Sequence, residues 1–406
     1  MRPFDGRRVL LVVSGGIAAY KSAILARRLI EAGAAVEVIL TESAERFVGR
    51  VTFEGITGGR VHTSLWNRPL AHLDLGREAD VVVIAPATAD LISKLATGAA
   101  SDLATSTVLA APGPVIVCPA MNTRMWEHPA TRANAVRLLD FGYAIAGPAD
   151  GPLAEGESGP GRLLEPEEIV PLIGRTLERA TGLRGRAVVA TAGPTRAALD
   201  PVRFVSNRSS GRMGFALAEA AWRRGGDVTL ISGPSQVPRP AGPRLVEVET
   251  AGEMLAALES ALTNADILLM AAAVGDFEPA VEAASKITKT GHGLEVTLRA
   301  GPDLLMETRD FRAENGIFTL GFALETDDLL SRGREKLERK GMQLVAVNSA
   351  LEPDAGFESE TNRITLIDRT GAAEELPLAK KTELADQLLD RIEASIEASI
   401  EAAAGS

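Results

Sequence analysis

The sequence predicts an α/β protein of two doubly wound, Rossmann-like domains, each built on a parallel sheet. The chain has 406 residues, and a single hydrophobic core rarely serves so many, so two domains are expected. Strand patterns alternate with helical patterns along both halves, which is typical of parallel sheets covered by helices. The predicted strands are continuous apolar runs, as expected for strands buried on both faces.

The first half begins with a strand, a glycine turn and a helix. Val9 to Val13 is the first predicted strand, and a helical pattern runs from about Ile17 to Ala32, where Gly33 ends it. Three more strands are predicted, at "AVEVIL", at Val81 to Ala85 and at Val115 to Cys118.

The second half repeats this plan with "AVVATAG", the helix "MGFALAEAAWRRGG" and the strand "DVTLI". Later strands are predicted at Ile267 to Ala272, Ile317 to Leu320 and Leu344 to Val347. The join lies near "TGLRGR", so the predicted domains are 1–182 and 186–390. The four-residue repeat in the tail, 391–406, predicts a frayed helix or disorder.

Composition excludes several classes of protein. The net charge of −11 argues against general binding to nucleic acids or membrane surfaces. The one cysteine, Cys118, allows no internal disulfide, so a reducing cytoplasm is the expected compartment. No apolar run approaches the ~20 residues of a membrane span. "MRPFDGRRVLLVVSGG" has the basic-then-apolar order of a signal peptide, but its apolar core is too short for one.

Small residues follow several first-half strands. In "VVSGGIAAYK" the backbone N–H groups and the Ser14 hydroxyl could hold a phosphate at a helix start. "TESAERF" offers Thr41 or Ser43 after the next strand, and "APATADLISKLATGAASDLAT" has the same character. Ligands of such folds bind outside the carboxyl ends of the strands. These segments therefore predict an anion site at that edge.

Two first-half residues suggest chemistry. His72, in "AHLDLG", could act as a general base near neutral pH, although a structural histidine would look the same. Asn122, in "CPAMNTRMWEHP", could hold a carboxylate or carbonyl group, or simply form a turn.

In this order, "SGGIAAYK", His72, "PATAD", "ISK" and "PAMN" closely resemble the flavoproteins that decarboxylate cysteine residues oxidatively. The resemblance implies bound FMN, with His72 as the base and Asn122 as the ligand of the substrate carboxylate. It also implies FMN contacts at Ser14, Gly15, Ser43, Thr88 and Ser101.

The segment "AEGESGPGRL" resembles that family's substrate clamp, which usually reads A-C-G-D-x-G-x-G-R-M. The glycines and Arg162 match, but Glu155 stands where the family has the cysteine that gives a proton when the enethiol intermediate is reduced. Glu155 could replace that donor if burial raises its pKa. Alternatively, the half-step is lost and the oxidised enethiol is released. Cys118 is a third candidate donor, although a buried strand-end cysteine is the simpler interpretation.

The second half offers groups suited to a nucleotide. "TAGPTRAALDPVRFVSNRSSGRMG" has the composition of an anion-binding loop. Asp276, in "AAAVGDFEP", suits Mg²⁺ shared with a phosphate chain. Lys286 and Lys289 follow, and Lys336 and Lys340 lie four residues apart on one helix face. Near an aspartate and a glycine-rich loop these lysines suggest a triphosphate, although single lysine pairs are usually solvated surface.

"TAGPTR", "LDPVRF", "SNRSSGRMG", "AAAVGDF", "GPDLL", "GFALET" and "AGFESETNRITLID" resemble phosphopantothenate–cysteine ligases. Both halves together, over roughly residues 7–390, resemble the bacterial bifunctional decarboxylase–ligase family of coenzyme A biosynthesis. The resemblance implies that CTP converts 4'-phosphopantothenate to an acyl-cytidylate, from which the amine of cysteine displaces CMP.

Residue roles in the second half follow from the same resemblance. Lys286 would neutralise charge on the α-phosphate, Asp276 would bind the nucleotide and its Mg²⁺, and Asn207 would position the acyl intermediate. The implied CTP contacts are Met270, Ala271, Ala272, Asp276, Lys286, Pro302, Asp303, Leu304, Leu305, Phe322, Lys336 and Lys340. The family's V-A-N-D reads "AVNS" here, which retains Asn348 but replaces the acid with Ser349.

The ligase product is the decarboxylase substrate, so one chain would supply both steps. The family builds its flavin sites between subunits, so a homo-oligomer is expected. Two other classes remain open, a binding protein with inactive sites and an NAD-dependent oxidoreductase. The absence of G-x-G-x-x-G at either strand–helix turn disfavours the latter.

Overall fold

The computed structural model describes residues 3–154, 156–178, 182–289, 293–325, 327–349 and 359–404. The chain forms two compact units, Met1–Arg179 and Ala180–Ser406. No helix among the described residues is long and apolar enough to cross a bilayer.

The first unit alternates strands with helices. Its strands are β1 (Arg8–Val13), β2 (Ala35–Leu40), β3 (Val61–His62), β4 (Val81–Ala87), β5 (Val115–Pro119), β6 (Ala144–Ile145), β7 (Ala149–Pro152) and β8 (Ser158–Arg162). Its helices are α1 (Ala19–Glu31), α2 (Glu42–Glu45), α3 (Arg50–Thr57), α4 (Ala71–Glu78), α5 (Ala89–Ala96), α6 (Leu103–Ala110), α7 (Thr123–Glu127), α8 (Pro129–Asp140) and α9 (Pro166–Leu177).

The main sheet of the first unit has the order β3-β2-β1-β4-β5-β6, and every pair in it is parallel. The chain leaves β1 in one direction and returns to place β4 on its other side, so the order reverses between β1 and β4. Such a switch point opens a crevice at the carboxyl ends of the strands, where doubly wound folds bind ligands. The short hairpin β7–β8 stands apart from this sheet.

The second unit repeats the alternation. Its strands are β9 (Ala187–Ala192), β10 (Arg196–Ala198), β11 (Phe204–Ser206), β12 (Asp227–Ser232), β13 (Arg244–Glu247), β14 (Ile267–Met270), β15 (Phe277–Pro279), β16 (Leu298–Ala300), β17 (Phe318–Glu325), β18 (Leu344–Ser349), β19 (Thr361–Asp368) and β20 (Ala373–Lys380). Its helices are α10 (Arg212–Arg223), α11 (Ala251–Leu262), α12 (Leu304–Glu307), α13 (Arg309–Glu314), α14 (Leu329–Arg339) and α15 (Lys381–Ala404).

The main sheet of the second unit has the order β13-β12-β9-β14-β17-β18-β19-β20. Its first six strands are parallel and reverse order between β9 and β14, as in the first unit. The two-domain α/β prediction is confirmed, but β19 and β20 are antiparallel additions that it missed. In β20 only Leu376 is fully buried, so this edge strand has no apolar run to reveal it.

Both faces of the second sheet are covered. Leu217 and Ala221 of α10 and Leu388 of α15 pack on one face of it. Met254 of α11 and Leu337 of α14 pack on the opposite face. Helices α10 and α15 therefore lie on one side of the sheet, and α11 and α14 on the other.

A buried charge network joins α10 to α15. Arg223 pairs with Asp386, and the Nη1 atom of Arg224 lies 2.7 Å from Glu393 and 2.9 Å from Asp390. Both arginine side chains are almost fully buried, so these pairs fix the alignment of the two helices. Burial raises the pKa of Asp386, and the two arginines oppose that rise.

The tail is helical, as one of the two predicted alternatives has it, but its beginning packs against the core and is not frayed. Helix α15 continues through it to Ala404, and Ile392 is fully buried while Glu393 pairs with Arg224. The repeat "EASIEASI" did not indicate this packing, because its pattern is the same in the first turns, which reach the core, as at Ile400, which is 55% exposed.

Replacing Ile392 by alanine is expected to lower the free energy of unfolding of the second unit by about 2–5 kcal/mol, because the substitution leaves a cavity in its core. Ile400→Ala, the matched control on the exposed end of the same helix, is expected to leave it within about 0.5 kcal/mol. Urea unfolding of the full chain followed by circular dichroism makes the comparison. Equal effects of the two substitutions would contradict the observed packing.

Candidate functional site

Ser14 connects the ends of two strands at the switch point of the first unit. It follows β1, and its hydroxyl donates to the Pro86 carbonyl at 2.7 Å and accepts from the Thr88 amide at 3.1 Å. Thr88 also caps α5, accepting from the Leu91 amide. These hydrogen bonds hold the ends of β1 and β4 in place on the two sides of the crevice.

Gly15 packs against the loop that follows β2. A Cβ atom on Gly15 would lie 2.4 Å from the Cβ of Ser43, so only glycine fits there. The backbone N–H groups of Gly15, Gly16 and Ile17 donate no hydrogen bond within the described part of the chain. Free amides ahead of a helix suit a phosphate group. The structure thus brings Ser14, Gly15, Ser43 and Thr88 together.

The other predicted residues of the flavin site lie farther along the same unit. Ser101 is exposed and precedes Asp102, the cap of α6. His72 is half-buried on α4, which packs against α6. No hydrogen bond joins either side chain to the Ser14 cluster among the residues that the structure describes.

The clamp-like segment folds as the hairpin β7–β8 against the turn that holds Asn122. Asn122 caps α7 through the Arg124 amide at 2.8 Å. The amide of Met121, next to Asn122, donates to the Gly161 carbonyl of β8 at 2.9 Å, and Arg124 pairs with Glu157 at 3.2 Å. Glu155 itself lies outside the described residues.

A charged cluster of Lys21, Arg162 and Glu165 lies where strand β8 leads into α9. Lys21 of α1 is buried, and its amine donates to Glu165 at 2.7 Å, while Arg162 donates to the same carboxylate oxygen at 2.7 Å. The hydrogen bond from Lys21 lowers the pKa of Glu165, and Arg162 adds to the effect. The helix that carries the small-residue loop is thereby tied to the segment that follows the clamp.

Cys118 lies in the hydrophobic core of the first unit and is fully buried. Burial raises the pKa of its thiol to about 12. The buried strand-end interpretation is confirmed, so Cys118 has no access to a substrate under the hairpin.

A cavity of about 350 Å³ opens at the switch point of the second unit. With the exception of Lys286, every residue predicted to contact CTP lines it, and so does Asn207. The lining residues predicted from the sequence are Asn207, Met270, Ala271, Ala272, Asp276, Pro302, Asp303, Leu304, Leu305, Phe322, Lys336 and Lys340.

Helix α10 begins at this cavity. Its cap, Gly211, has a φ of +82° and lies against the Gly193 backbone, a conformation and a fit that favour glycine. The backbone N–H groups of Arg212, Met213 and Gly214 donate no hydrogen bond within the described residues. This helix start matches the one after β1 and suits a second phosphate chain.

Asn207 and Asp276 approach the cavity from two loops. The Asn207 amide donates to the carbonyls of Ala273 at 3.2 Å and Val274 at 3.0 Å, which ties the β9–α10 loop to the loop after β14. Asp276 is exposed, and its carbonyl accepts from Gly301. No cluster of three or more His, Cys, Asp or Glu residues in the described ranges could hold a metal.

The amines of Lys336 and Lys340 are held by acids. Lys336 lies 2.5 Å from Glu325, and Lys340 lies 3.0 Å from Asp303. Both lysines face the cavity, so the expectation that they share one side of α14 is correct. Their charges are balanced by carboxylates, which fits recognition of a neutral group better than of a phosphate.

Arg312, which the sequence analysis did not single out, supports this wall of the cavity. It is 2% exposed, and its Nη2 atom donates to the Leu305 carbonyl at 2.7 Å and to the Lys340 carbonyl at 2.8 Å. Its Nη1 atom donates to the Thr319 hydroxyl at 2.9 Å. Burial lowers its pKa to about 10, so it remains charged at neutral pH. One guanidinium therefore holds two segments that line the cavity.

Lys286 does not line the cavity. It is exposed, in a segment tied back to the loop before β11 because the Ile287 amide donates to buried Asp200 at 3.1 Å. Burial acts to raise the pKa of Asp200, but the amides of Ile287, Val202 and Arg203 and the charge of Arg203 together lower it. The role of Lys286 stays a prediction.

Several lining residues have no assigned role in the sequence analysis, and four of them have long polar or charged side chains. They are Arg212, Asn348, Asn362 and Lys381. Asn348 was noted there only as a retained family position, whereas Asn362 and Lys381 are brought in by the antiparallel strands that were missed. Arg212 and Asn362 lie within quoted family motifs without a role of their own, and Lys381 lies outside every quoted motif.

A larger cavity, of about 1290 Å³, adjoins the first and shares Asn207, Ser209, Ser210 and Arg212 with it. Its lining also includes Arg196, Arg208 and Arg239. Arg196 pairs with Glu249 at 3.4 Å and Arg239 pairs with Glu247, and both glutamates line the same cavity.

Replacing Arg312 by methionine is expected to lower the stability of the second unit by about 3 kcal/mol, because the carbonyls that it pairs would lose their donor. Nucleotide affinity should fall as well. Arg339→Met, which removes an exposed arginine of α14, is the control and should change neither quantity. Thermal unfolding with and without CTP measures both effects, and an unchanged Arg312→Met protein would contradict the supporting role.

Two protein families match the chain. The family described as Flavoprotein matches residues 2–178, and the family described as DNA/pantothenate metabolism flavoprotein C-terminal domain matches residues 183–396. A solved C-terminal domain of coenzyme A biosynthesis bifunctional protein CoaBC is 32% identical, covers 54% of this chain and 99% of its own, and has a TM-score of 0.46.

Full-length relatives match almost the whole chain. The coenzyme A biosynthesis bifunctional protein CoaBC of Bacillus subtilis is 42% identical over 392 residues, 95% of this chain and 96% of its own. The protein of the same name from Mycolicibacterium smegmatis is 43% identical over 400 residues, again 95% and 96% of the two chains. With the carboxyl-edge sites described above, these matches show that the chain belongs to the CoaBC family of bifunctional coenzyme A biosynthesis proteins.

Proposed function

We propose that this chain is a bifunctional decarboxylase and ligase of coenzyme A biosynthesis. The second unit would join 4'-phosphopantothenate to cysteine with CTP, and the first would convert the product to 4'-phosphopantetheine with FMN. The observation that carries the proposal is the convergence of chemically distinct groups at the switch points of both units. Among the described residues, each unit has helix-start amides there that donate no hydrogen bond.

The FMN phosphate would bind the amides of Gly15, Gly16 and Ile17. Ser14, Ser43 and Thr88 surround this place, and their bonds to the strand ends keep it preformed. FMN would supply the two-electron oxidation that makes the substrate carboxyl a leaving group, and would return the electrons afterwards. Ser101 would be a further contact.

Asn122 would hold the carboxylate that is lost as CO₂. The hairpin β7–β8, hydrogen-bonded to the same turn, would cover the substrate and exclude water. The Thr123 hydroxyl is buried without a hydrogen-bond partner among the described residues, so a polar group beside Asn122 remains available to a ligand. His72 would act as the base, and Glu155 would give the proton that completes reduction of the enethiol.

A homo-oligomer would complete the flavin site, because the family that the first half resembles builds its flavin sites between subunits. A cytoplasmic enzyme agrees with the low cysteine content and with substrates that are small and charged.

In the ligase reaction a carboxylate oxygen of 4'-phosphopantothenate would attack the α-phosphorus of CTP. The bond from that phosphorus to the bridging oxygen breaks, and pyrophosphate leaves. The amine of cysteine then attacks the acyl carbon of the acyl-cytidylate, CMP leaves with the bonding electrons, and the amine loses a proton. Asn207 would orient the acyl group, and Lys286 would offset charge at the α-phosphate.

The two adjoining cavities support binding of both substrates next to each other. CTP would occupy the smaller one, with Phe322 and the acid-paired Lys336 and Lys340 at its uncharged end. The larger cavity, whose lining includes Arg208 and Arg212, would hold the phosphorylated acid. Asn207 borders both, at the place where the two substrates must meet. Asp276 would share Mg²⁺ with the phosphate chain, a common coordination for that ion.

Incubation with 4'-phosphopantothenate, cysteine, CTP and Mg²⁺ is expected to give 4'-phosphopantetheine, identified by mass spectrometry. His72→Asn should stop the sequence at 4'-phosphopantothenoylcysteine, whereas Asn207→Ala should block its formation but still decarboxylate it when it is supplied. His62→Asn is the control, because His62 is a second half-buried histidine that pairs with Glu37. Loss of both activities in every variant would indicate unfolding rather than these roles.

Glu155→Gln separates the two interpretations of the clamp. A glutamine cannot give the proton, so the oxidised enethiol, lighter by two hydrogens, should accumulate if Glu155 is the donor. Accumulation of the enethiol by the native protein would instead mean that the reductive half-step is absent. Complete turnover by Glu155→Gln would assign the proton to another group.

A further inference from the structure

Asp200 is a buried aspartate to which the proposed reaction gives no task. It lies in the turn between β10 and β11 and is 2% exposed. Its Oδ1 atom accepts from the amides of Val202 and Arg203, both at 2.8 Å. Its Oδ2 atom accepts from the amide of Ile287 at 3.1 Å, although the two residues are 87 positions apart. The carboxylate therefore binds its own turn with one oxygen and a distant segment with the other.

Two further hydrogen bonds tie the same segment to the β10–β11 turn. The Ala283 amide donates to the Leu199 carbonyl at 3.0 Å, and the Arg203 guanidinium donates to the Ile287 carbonyl. Residues 283–287 belong to no helix or strand, so no regular hydrogen-bond ladder holds them. The contacts with the turn therefore set the path of this segment.

Lys286 lies inside the segment that the turn holds. It is exposed, and no hydrogen bond or ion pair of its amine occurs within the described part of the chain. Its place is therefore set by the backbone on either side of it, at Ala283 and Ile287, and not by its own side chain. Loss of the Asp200 contact would release the backbone directly after Lys286.

The same hairpin carries Asn207. Strands β10 and β11 are antiparallel, with Arg196 opposite Ser206 at the open end, and Asn207 follows there to reach the loop after β14. The turn with Asp200 lies at the other end of these three-residue strands, about 10 Å away. One hairpin thus carries the residue proposed to orient the acyl group and the anchor of the Lys286 segment.

We propose that Asp200 is a positioning residue of the ligase, which holds the Lys286 segment on the β10–β11 turn and so sets where the lysine amine stands relative to Asn207. A cation offsets charge at the α-phosphate only when it is held in the productive place, and a displacement of about 1 Å can lower a rate by about a hundredfold. This inference rests on the proposed ligase function and adds to it a residue that acts through Lys286.

Asp200→Asn tests this role with a small change. The remaining carbonyl oxygen can still accept from the amides of the turn, but the new NH₂ group cannot accept from Ile287. Ligation by the full chain is measured as pyrophosphate released from CTP in the presence of 4'-phosphopantothenate and cysteine. Its kcat should fall by roughly ten- to a hundredfold, and KM for CTP should stay within about twofold, because neither Asp200 nor Lys286 lines the nucleotide cavity.

A double variant asks whether Asp200 acts through Lys286. Lys286→Gln alone and Lys286→Gln with Asp200→Asn should lose ligation to the same extent, because the positioned amine is absent from both. Asp368→Asn is the matched control and should ligate as the native protein does. The Asp368 carboxylate also accepts from backbone amides, those of Thr370 and Ala372, but in the β19–β20 turn.

The outcomes separate the inference from the function on which it rests. Native protein that releases no pyrophosphate would overturn the proposed ligase. Native protein that ligates, together with Asp200→Asn protein of unchanged kcat, would overturn the role of Asp200 alone. Losses that add in the double variant, or a rise in KM for CTP that matches the fall in kcat, would show that Asp200 only supports the fold and would also overturn the inference.

Discussion

The site chemistry of both units depends on one constraint, that parallel strands end at a common edge. Hydrogen bonding holds β1 beside β4 and β9 beside β14, and in each sheet the chain departs in opposite directions from such a pair. Loops that leave neighbouring strands in opposite directions cannot fill the space between them. Distant segments of sequence therefore meet there, as Ser14 meets Thr88 and Asn207 meets Val274.

Buried cations stabilise the surroundings of that edge in the second unit. Arg224 fixes α10 against α15, and Arg312 joins the carbonyls behind the cavity. Each donates to carboxylates or carbonyls, which offset the cost of burying a guanidinium.

The sequence was most informative where burial is complete. Strands β4 and β5 are continuous apolar runs buried at every residue, and their positions follow directly from the pattern. Strand β20 is mostly exposed and acidic, so its pairing is set by the tertiary structure and not by its own composition. Lys381 was missed for the same reason, because it is the position of β20 that brings it to the cavity. Ile392 was assigned to the tail because its repeat looks the same in a buried turn as in an exposed one.

In the proposed reactions, every reactive thiol would be on a ligand and none on the protein. Cys118 is the single cysteine, and its burial keeps the sulfur protonated and out of contact with solvent. A sulfur in that state is a poor nucleophile and resists oxidation. Cysteine as a substrate and a thiol as a product would then meet no protein sulfur with which to exchange disulfides. The protein is expected to resist inactivation by peroxide or oxidised thiols, conditions that would inhibit a relative dependent on a clamp cysteine.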